Sequence, residues 1–181
     1  MEAAELIQME ARSKGCCLLL PQDVLVNSPA GSRICDLEKI KRGEVVSDVG
    51  PATVKWWGQE VCQAKTVVWN GPLGVFEVHP FHTGTLKLAK VVAERTQKNG
   101  LCSVAGGGDT LAALQQTELF LRFTYVSSAG GAFLEWLEGR SLPGLHALEK
   151  SCVIHGKKVN SRGSGVPGNA GRLMAGLAIT H

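Results

Sequence analysis

Apolar positions in the first 150 residues alternate between short continuous runs and longer stretches with helical spacing. Ala3, Leu6, Ile7 and Met9 recur at helical spacing, and Gly15 follows where a helix commonly stops, so a first helix is predicted. The short runs predict strands at Cys16–Leu20, Val24–Val26, Glu44–Val49, Lys65–Trp69, Leu101–Ala105 and Phe123–Ser127. The later spacing predicts helices at Ala52–Ala64, Pro80 to about Gln97, Thr110–Gln116 and Ala132–Glu138.

The repeated order of strand, loop and helix predicts an α/β fold. We expect a three-layer αβα arrangement with a parallel, Rossmann-like sheet and with ligand groups at the carboxyl ends of its strands. Residues 27–43 are rich in Gly, Ser, Asn, Pro and charge, and are predicted to form a surface loop. Residues 1–150 then form one domain, whereas residues 151–181, with six glycines and little apolar periodicity, are predicted to be a disordered basic tail.

Composition favours a single-domain cytoplasmic protein over a membrane or secreted one. The 181 residues, with 44% hydrophobic content, are enough for one well-packed domain. No apolar run approaches the roughly 20 residues needed to cross a bilayer, and the acidic start does not resemble a secretory signal. Six cysteines without CxxC spacing are interpreted as reduced thiols. These features predict a cytoplasmic protein with no membrane partner.

The net charge of +3 gives no indication of a nucleic-acid partner. Residues 151–181 carry four basic residues and no acidic ones, which leaves 15 basic against 16 acidic residues in the rest of the chain. The four basic residues form no tight cluster and have no interleaved aromatics. We therefore expect no binding to nucleic acid.

Three glycine-bearing turns each follow a predicted strand and form the candidate site. They are Asn70–Gly74, Gly106–Thr110 and Ala129–Gly131. Glycine lets a backbone approach a phosphate closely, and the start of the following helix offers free N–H groups to an anion. A tight turn also needs glycine for steric reasons alone, so one such turn is weak support for a nucleotide phosphate.

Asp109 directly follows the glycines of the second turn. Beside a phosphate its carboxylate would be repelled unless a Mg²⁺ ion lay between them, which makes Asp109 a candidate metal ligand. The alternative is that Asp109 caps the next helix through its side-chain oxygen. His79, His82 and His146 have no spacing that indicates a metal site.

Three long motifs in a fixed order carry a resemblance to a known family: Thr66–Glu77 (TVVWNGPLGVFE), Val104–Thr110 (VAGGGDT) and Phe123–Gly139 (FTYVSSAGGAFLEWLEG). In order and spacing they resemble phosphoglycerate kinase, and the residues of the motifs are similar to those of bacterial members. The resemblance extends from about Ala3 to Lys150. It covers less than half of a family member, because such kinases have two domains of similar size.

The resemblance implies that residues 1–150 are part of a nucleotide-binding domain that takes ATP or ADP with Mg²⁺. Asn70 would contact a phosphate, Glu77 would hold the ribose hydroxyls, and Leu73–Val75 would lie against the adenine. Gly107 and Thr110 would cradle phosphates. Taken alone, Glu77 is interpreted as an ordinary solvated carboxylate, and it is the match of the whole twelve-residue motif that favours the ribose contact.

The resemblance also implies the groups that act on the transferring phosphoryl. Gly108 would help to cradle phosphates, and the backbone N–H groups of Gly108 and Gly131 would stabilise the phosphoryl in transit. Asp109 would hold the Mg²⁺. The last turn departs from the family pattern, because Ala129 stands where the family commonly has a third consecutive glycine.

Two hypotheses about function follow. The first is phosphoryl transfer between ATP and 3-phosphoglycerate, with 3-phosphoglycerate bound only if an N-terminal half is supplied. The second is an inactive nucleotide-binding module or a gene fragment, because the family's acceptor-binding residues and its phosphate-contacting lysine lie in segments outside this sequence. We expect no transfer by this chain alone, and an exposed sheet edge where the family has further strands.

Overall fold

The computed structural model describes residues 2–137, 139–144, 146–147, 172–174 and 177–180. The helices are α1 (Glu2–Ser13), α2 (Pro51–Gln63), α3 (Thr83–Asn99), α4 (Gly108–Gln115) and α5 (Gly130–Leu137). The strands are β1 (Cys17–Leu18), β2 (Asp23–Ser28), β3 (Gly31–Asp36), β4 (Val45–Val49), β5 (Thr66–Asn70), β6 (Cys102–Gly106), β7 (Tyr125–Ser127), β8 (Arg172–Met174) and β9 (Leu177–Thr180). The predicted helices are present, with boundaries shifted by a few residues.

The larger sheet has six strands in the order β1, β8, β9, β5, β6, β7. Strands β5, β6 and β7 run parallel to one another, and β1 runs parallel to β8. Strand β9 runs antiparallel to both of its neighbours, β8 and β5. The predicted α/β fold with parallel strands is confirmed, and β9 is the strand that departs from the parallel direction.

A second, antiparallel sheet has three strands in the order β3, β2, β4. The prediction of a loop over residues 27–43 is therefore wrong in part, because β2 extends to Ser28 and the chain returns as β3. Within β3 only Cys35 is buried, so this strand lacks the alternation that identifies a half-buried strand. The Arg33 guanidinium donates two hydrogen bonds, of 2.8 and 2.7 Å, to the Glu44 carboxylate just before β4.

The segment predicted to be a disordered tail contains the two strands β8 and β9. That prediction is wrong for residues 172–174 and 177–180, which lie inside the larger sheet between β1 and β5. The side chain of Ile179 is 1% exposed and belongs to the main core. The division of the chain at residue 150 stays a prediction, because most of residues 151–181 lie outside the described residues.

The main core lies between α2, α3 and the larger sheet. Trp57 of α2 and Trp69 of β5 are fully buried in it, together with Leu88 and Val92 on the inner face of α3. Helix α3 packs against α2, β6 and α4, so it ties the larger sheet to the helices around the glycine turns. Among the described ranges, no helix combines the length and the apolar character needed to cross a membrane.

Candidate nucleotide-binding site

The carboxyl ends of β5, β6 and β7 meet at one edge of the larger sheet. Asn70 is the register partner of Gly106, and Gly106 is in turn the partner of Ser127. Because the three strands are parallel, the turns that follow them leave the sheet side by side. The predicted placement of the three glycine turns along one edge is confirmed.

The start of the second turn brings two predicted site residues together. Gly107 has a φ of +107°, and a Cβ placed on it would lie 3.3 Å from both the Asn70 Oδ1 and the Thr110 Oγ1. The Thr110 hydroxyl is buried and accepts a hydrogen bond of 2.6 Å from the Gly71 N–H, which links the first two turns. The Asn70 Nδ2 is buried and has no hydrogen-bond partner, so a donor is left available beside Gly107.

The third turn packs directly onto the second. The Gly107 N–H donates a hydrogen bond of 3.1 Å to the Ser127 carbonyl. A Cβ on Gly130 would lie 2.6 Å from the Gly107 nitrogen, which is closer than real Cβ contacts come. Glycine at 130 is therefore required by the packing of the two turns, and its presence alone does not indicate a ligand.

Gly108 and Gly131 differ from Gly107 and Gly130 in this respect. A Cβ placed on either would meet no atom within 4 Å, and both residues are exposed. The packing of the described residues therefore does not explain why these positions are glycine. Close approach of a ligand to the backbone is the other general reason for glycine at such positions.

Asp109 is the second residue of α4, exposed and in the first turn of the helix. The capping alternative is wrong, because Gly107 occupies the N-cap position and there is no side-chain cap hydrogen bond. Within the described residues, no group of three or more His, Cys, Asp or Glu side chains could hold a metal ion. A single carboxylate still fits Mg²⁺, which proteins commonly hold through one or two carboxylates together with substrate phosphates and waters.

The connection from β5 to α3 is fixed to the second sheet. The Val75 N–H donates a hydrogen bond of 2.8 Å to the Ser47 carbonyl of β4. The Leu73 N–H donates one of 2.9 Å to the Thr85 hydroxyl of α3. Val75 and Val46 are exposed on this connection and on β4. Glu77 is also exposed, and no hydrogen bond or ion pair joins it to the glycine turns in the described residues.

Two buried aspartates that the sequence analysis did not identify close the starts of α2 and α3. Asp23 of β2 accepts hydrogen bonds from the Ala52 N–H at 3.0 Å and from the Thr53 N–H at 2.7 Å. Burial acts to raise the pKa of Asp23, but hydrogen bonds from Thr53 and Ala52 outweigh it and hold that pKa below its ordinary value. The signal that could have identified it is a carboxylate at the start of an apolar strand.

Asp48 of β4 accepts hydrogen bonds from the Gly84 N–H at 2.7 Å and from the Val49 N–H at 2.8 Å. The residue is 2% exposed. Burial raises the pKa of Asp48 to about 6, against the opposing effects of these two hydrogen bonds and of the nearby His82 and Lys87. Folding therefore disfavours the charged form of Asp48, whereas it favours the charged form of Asp23.

Comparison with known proteins identifies the family. The sequence profile described as phosphoglycerate kinase matches residues 1–140. The chain belongs to the phosphoglycerate kinase family. The phosphoglycerate kinase of Rhodospirillum centenum is 50% identical over 151 residues, which are 81% of this chain and 38% of that protein. The phosphoglycerate kinase of Azorhizobium caulinodans is 47% identical over 153 residues.

Solved structures agree with this assignment. The phosphoglycerate kinase from Coxiella burnetii matches with a TM-score of 0.73 and 42% identity, covering 81% of this chain and 38% of that one. The phosphoglycerate kinase from Pyrococcus horikoshii matches with a TM-score of 0.62 and 32% identity, covering 71% and 32%. The chain thus spans less than two fifths of the length of these phosphoglycerate kinases, which belong to a family of glycolytic phosphotransferases.

Proposed function

We propose that this chain binds MgADP or MgATP across the three glycine turns and supplies the nucleotide half of phosphoryl transfer to and from 3-phosphoglycerate. The observation that carries the proposal is the edge where Asn70, Gly107 and Thr110 come together with an unpartnered buried donor, the Asn70 Nδ2. A buried donor without an acceptor is costly, so its retention is better explained by a partner such as a phosphate oxygen.

The phosphates are proposed to lie over the starts of α4 and α5. In the described residues, the N–H groups of Gly108, Asp109 and Thr110 have no protein acceptor, and the first helical bond of α4 runs from Leu111 to Gly107 at 3.0 Å. Free N–H groups at a helix start, together with the positive end of the helix dipole, favour an anion. The Thr110 hydroxyl fixes the first turn by accepting the hydrogen bond from the Gly71 N–H.

Asp109 is proposed to hold the Mg²⁺ together with phosphate oxygens. Its carboxylate is exposed on the first turn of α4 and has no protein partner in the described residues. Without a cation, this carboxylate would repel the phosphates that the helix start attracts. A bound Mg²⁺ would offset both charges and help to neutralise the charge that develops during transfer.

The base and ribose are proposed to lie along the β5–α3 connection. Val46 and Val75 offer exposed apolar surface there, and the hydrogen bond from Val75 to Ser47 fixes the backbone between them. Glu77, two residues further on, is exposed and available to accept hydrogen bonds from ribose hydroxyls. This assignment follows the family resemblance of the Thr66–Glu77 motif.

Catalysis is proposed to rest on positioning and charge, with no covalent residue. The N–H groups of Gly108 and Gly131 are the candidates for stabilising the phosphoryl in transit, since both positions lie open at the same edge. Transfer requires 3-phosphoglycerate bound opposite this edge. We assign that contribution to an N-terminal half of the family type, and we expect the reaction to take place in the cytoplasm.

Calorimetric titration with MgADP tests the nucleotide site through Asp109→Asn. We expect the variant to bind MgADP about 10- to 100-fold more weakly, since losing a charged partner costs roughly 1–3 kcal/mol. Its melting curve should match that of the wild type. The control is Asp36→Asn, an exposed aspartate in an ion pair with Lys39 at 2.6 Å, which should bind MgADP normally. Equal affinity of the wild type and Asp109→Asn would remove Asp109 from the site.

A coupled assay separates transfer from binding alone. The purified chain is assayed with ATP and 3-phosphoglycerate, with and without a separately produced fragment that contains the part of the Coxiella burnetii relative outside the region matched by this chain. Turnover only in the mixture supports the proposed enzyme half. MgADP binding without turnover in either arm supports the alternative, a nucleotide-binding module that does not catalyse transfer.

A further inference from the structure

The middle of the larger sheet is built from a part of the chain that lies outside the family match. Strands β8 and β9 separate β1 from β5. The match to the phosphoglycerate kinase profile covers residues 1–140, so it includes β1 and β5 but neither of the strands between them. The family part of the chain therefore contributes both walls of a gap that is two strands wide, and a different segment fills it.

The filling is paired to both walls. Strand β9 pairs with β5 from Thr66↔Thr180 to Trp69↔Leu177, and the Lys65 N–H donates a hydrogen bond of 2.8 Å to the Thr180 carbonyl. On the other side, β8 pairs with β1 from Cys17↔Arg172 to Leu18↔Leu173. Each wall therefore has a hydrogen-bonded partner strand in the inserted pair.

The inserted pair also contributes to the core. Ile179 lies opposite Val67 of β5, and both side chains are fully buried in the same cluster as Trp69. An empty gap would leave two facing strand edges unpaired and would expose this apolar surface to water. Unpaired edges of this kind are templates for any extended chain that can reach them.

We propose that the gap between β1 and β5 is a strand-binding slot, and that the strands β8 (Arg172–Met174) and β9 (Leu177–Thr180) are its intramolecular occupant. The slot accepts an extended segment that presents an aliphatic side chain opposite Val67, the place taken by Ile179. Because β5 is parallel to β6 and β7, this edge of β5 also suits a parallel strand, whereas β9 occupies it in the antiparallel direction. While it is in place, the pair excludes any other strand.

Amide hydrogen exchange of the intact chain tests whether the slot is occupied. We expect residues 177–180 to exchange at least 100-fold more slowly than the amide of Ala30 in the exposed β2–β3 turn, because pairing with β5 on one side and β8 on the other would protect them. Exchange of residues 177–180 at the rate of that turn would overturn the proposal by itself, with no variant needed.

A matched pair of variants and a peptide test the slot as a binding site. Ile179→Asp places a charge in the core, whereas Ile7→Asp makes the same change at an exposed position of α1. We expect Ile179→Asp to lose the protection of residues 177–180 and to bind a synthetic peptide of residues 171–181 at least tenfold more tightly than the wild type and Ile7→Asp do.

If Ile179→Asp unfolds altogether, the same peptide should restore its far-ultraviolet circular dichroism, whereas a peptide carrying the Ile179→Asp change should not. Equal peptide binding by all three proteins, or no recovery of the variant, would overturn the slot as a binding site.

Discussion

The starts of α2 and α3 differ from the starts of α4 and α5 in the source of the negative charge that the N–H groups of a helix start attract. Asp23 reaches the first turn of α2, and Asp48 reaches that of α3, so the protein occupies these two helix starts with its own buried carboxylates. The starts of α4 and α5 follow glycine turns and carry no such internal carboxylate hydrogen bond among the described residues. The same physical feature is thus used for stability in one pair of helices and left open in the other.

This difference explains why only some helix starts are candidate phosphate sites. A helix start that already binds a buried carboxylate has fewer N–H groups to offer, and the charge of that carboxylate would repel a second anion. At α4 the cap is a glycine without a side chain, and the nearest carboxylate, Asp109, points to a metal ion rather than to the helix backbone in our proposal. Two of the three family motifs, Val104–Thr110 and Phe123–Gly139, contain these open starts.

The largest expected effect on stability comes from removing the carboxylate that binds the N–H groups at the start of α2. Asp23→Ala removes an acceptor from the N–H groups of Ala52 and Thr53 and from the Thr53 hydroxyl. Hydrogen bonds to a charged group contribute roughly 1.5–3 kcal/mol each in favourable cases, so we expect a loss of about 3 kcal/mol in the free energy of unfolding, measured by urea denaturation. Asp36→Ala should change it by less than about 1 kcal/mol. Similar losses in the two variants would contradict the assigned role of Asp23.

A smaller effect should separate two neighbouring glycines at the start of α5. Gly130→Ala drives a Cβ into the Gly107 backbone, and we expect a loss of about 2 kcal/mol in stability. Gly131→Ala meets no protein atom, so its stability should stay equal or rise by up to about 1 kcal/mol. Phosphoryl transfer in the two-part assay should nevertheless fall with Gly131→Ala, because its Cβ would hinder the close approach of the phosphoryl to the backbone. Its melting curve should stay unchanged. A destabilised Gly131→Ala, or one with full activity, would show that the open start is not a functional surface.

The smallest effect is a change in pH dependence at the second closed helix start. The pKa of Asp48 is raised from 3.8 to about 6 in the folded chain, so folding favours its protonated form. The stability contributed by this proton is present at low pH and is lost as the pH rises through about 6. Lowering the pH from 7.5 to 5 should therefore add about 1 kcal/mol at this group.

Asp48→Asn keeps an acceptor for one N–H group but cannot titrate. We expect its free energy of unfolding, measured by urea denaturation at each pH, to lack this increase of about 1 kcal/mol between pH 7.5 and 5. The difference between the two proteins isolates Asp48 from other groups that titrate in this range, including His82, which lies near it. Parallel pH profiles would mean that Asp48 is not the group responsible.

The sequence was sufficient for the features that depend on local pattern. Strand β5 is a short apolar run and helix α2 has helical spacing. The glycine turns follow strands that end at the same edge, so the placement of the turns that carry Asn70, Gly107 and Thr110 at one edge could be predicted. The packing that distinguishes Gly130 from Gly131 could not, because it depends on how one turn approaches another.

Features that depend on distant partners were missed for a physical reason. Strand β3 is exposed at four of its six residues, so its sequence shows no buried face, and it is defined by its pairing with β2. Strand β9 is short, and its burial depends on β5, far away in the sequence. Asp23 and Asp48 lie within apolar strands, and their role appears only when the starts of α2 and α3 are brought next to them.

The place of β9 also bears on the order in which the molecule can fold. The turn between Ser28 and Gly31 lets β2 and β3 meet almost as soon as both have formed, since a short loop closes quickly and at little entropic cost. The pairing of Thr66 with Thr180 must bring together residues separated by more than a hundred positions. Such long-range pairing is intrinsically slow. We therefore expect the small sheet and the parallel core of β5, β6 and β7 to form first. The pairing of β9 with the already formed edge of β5 is then the last step.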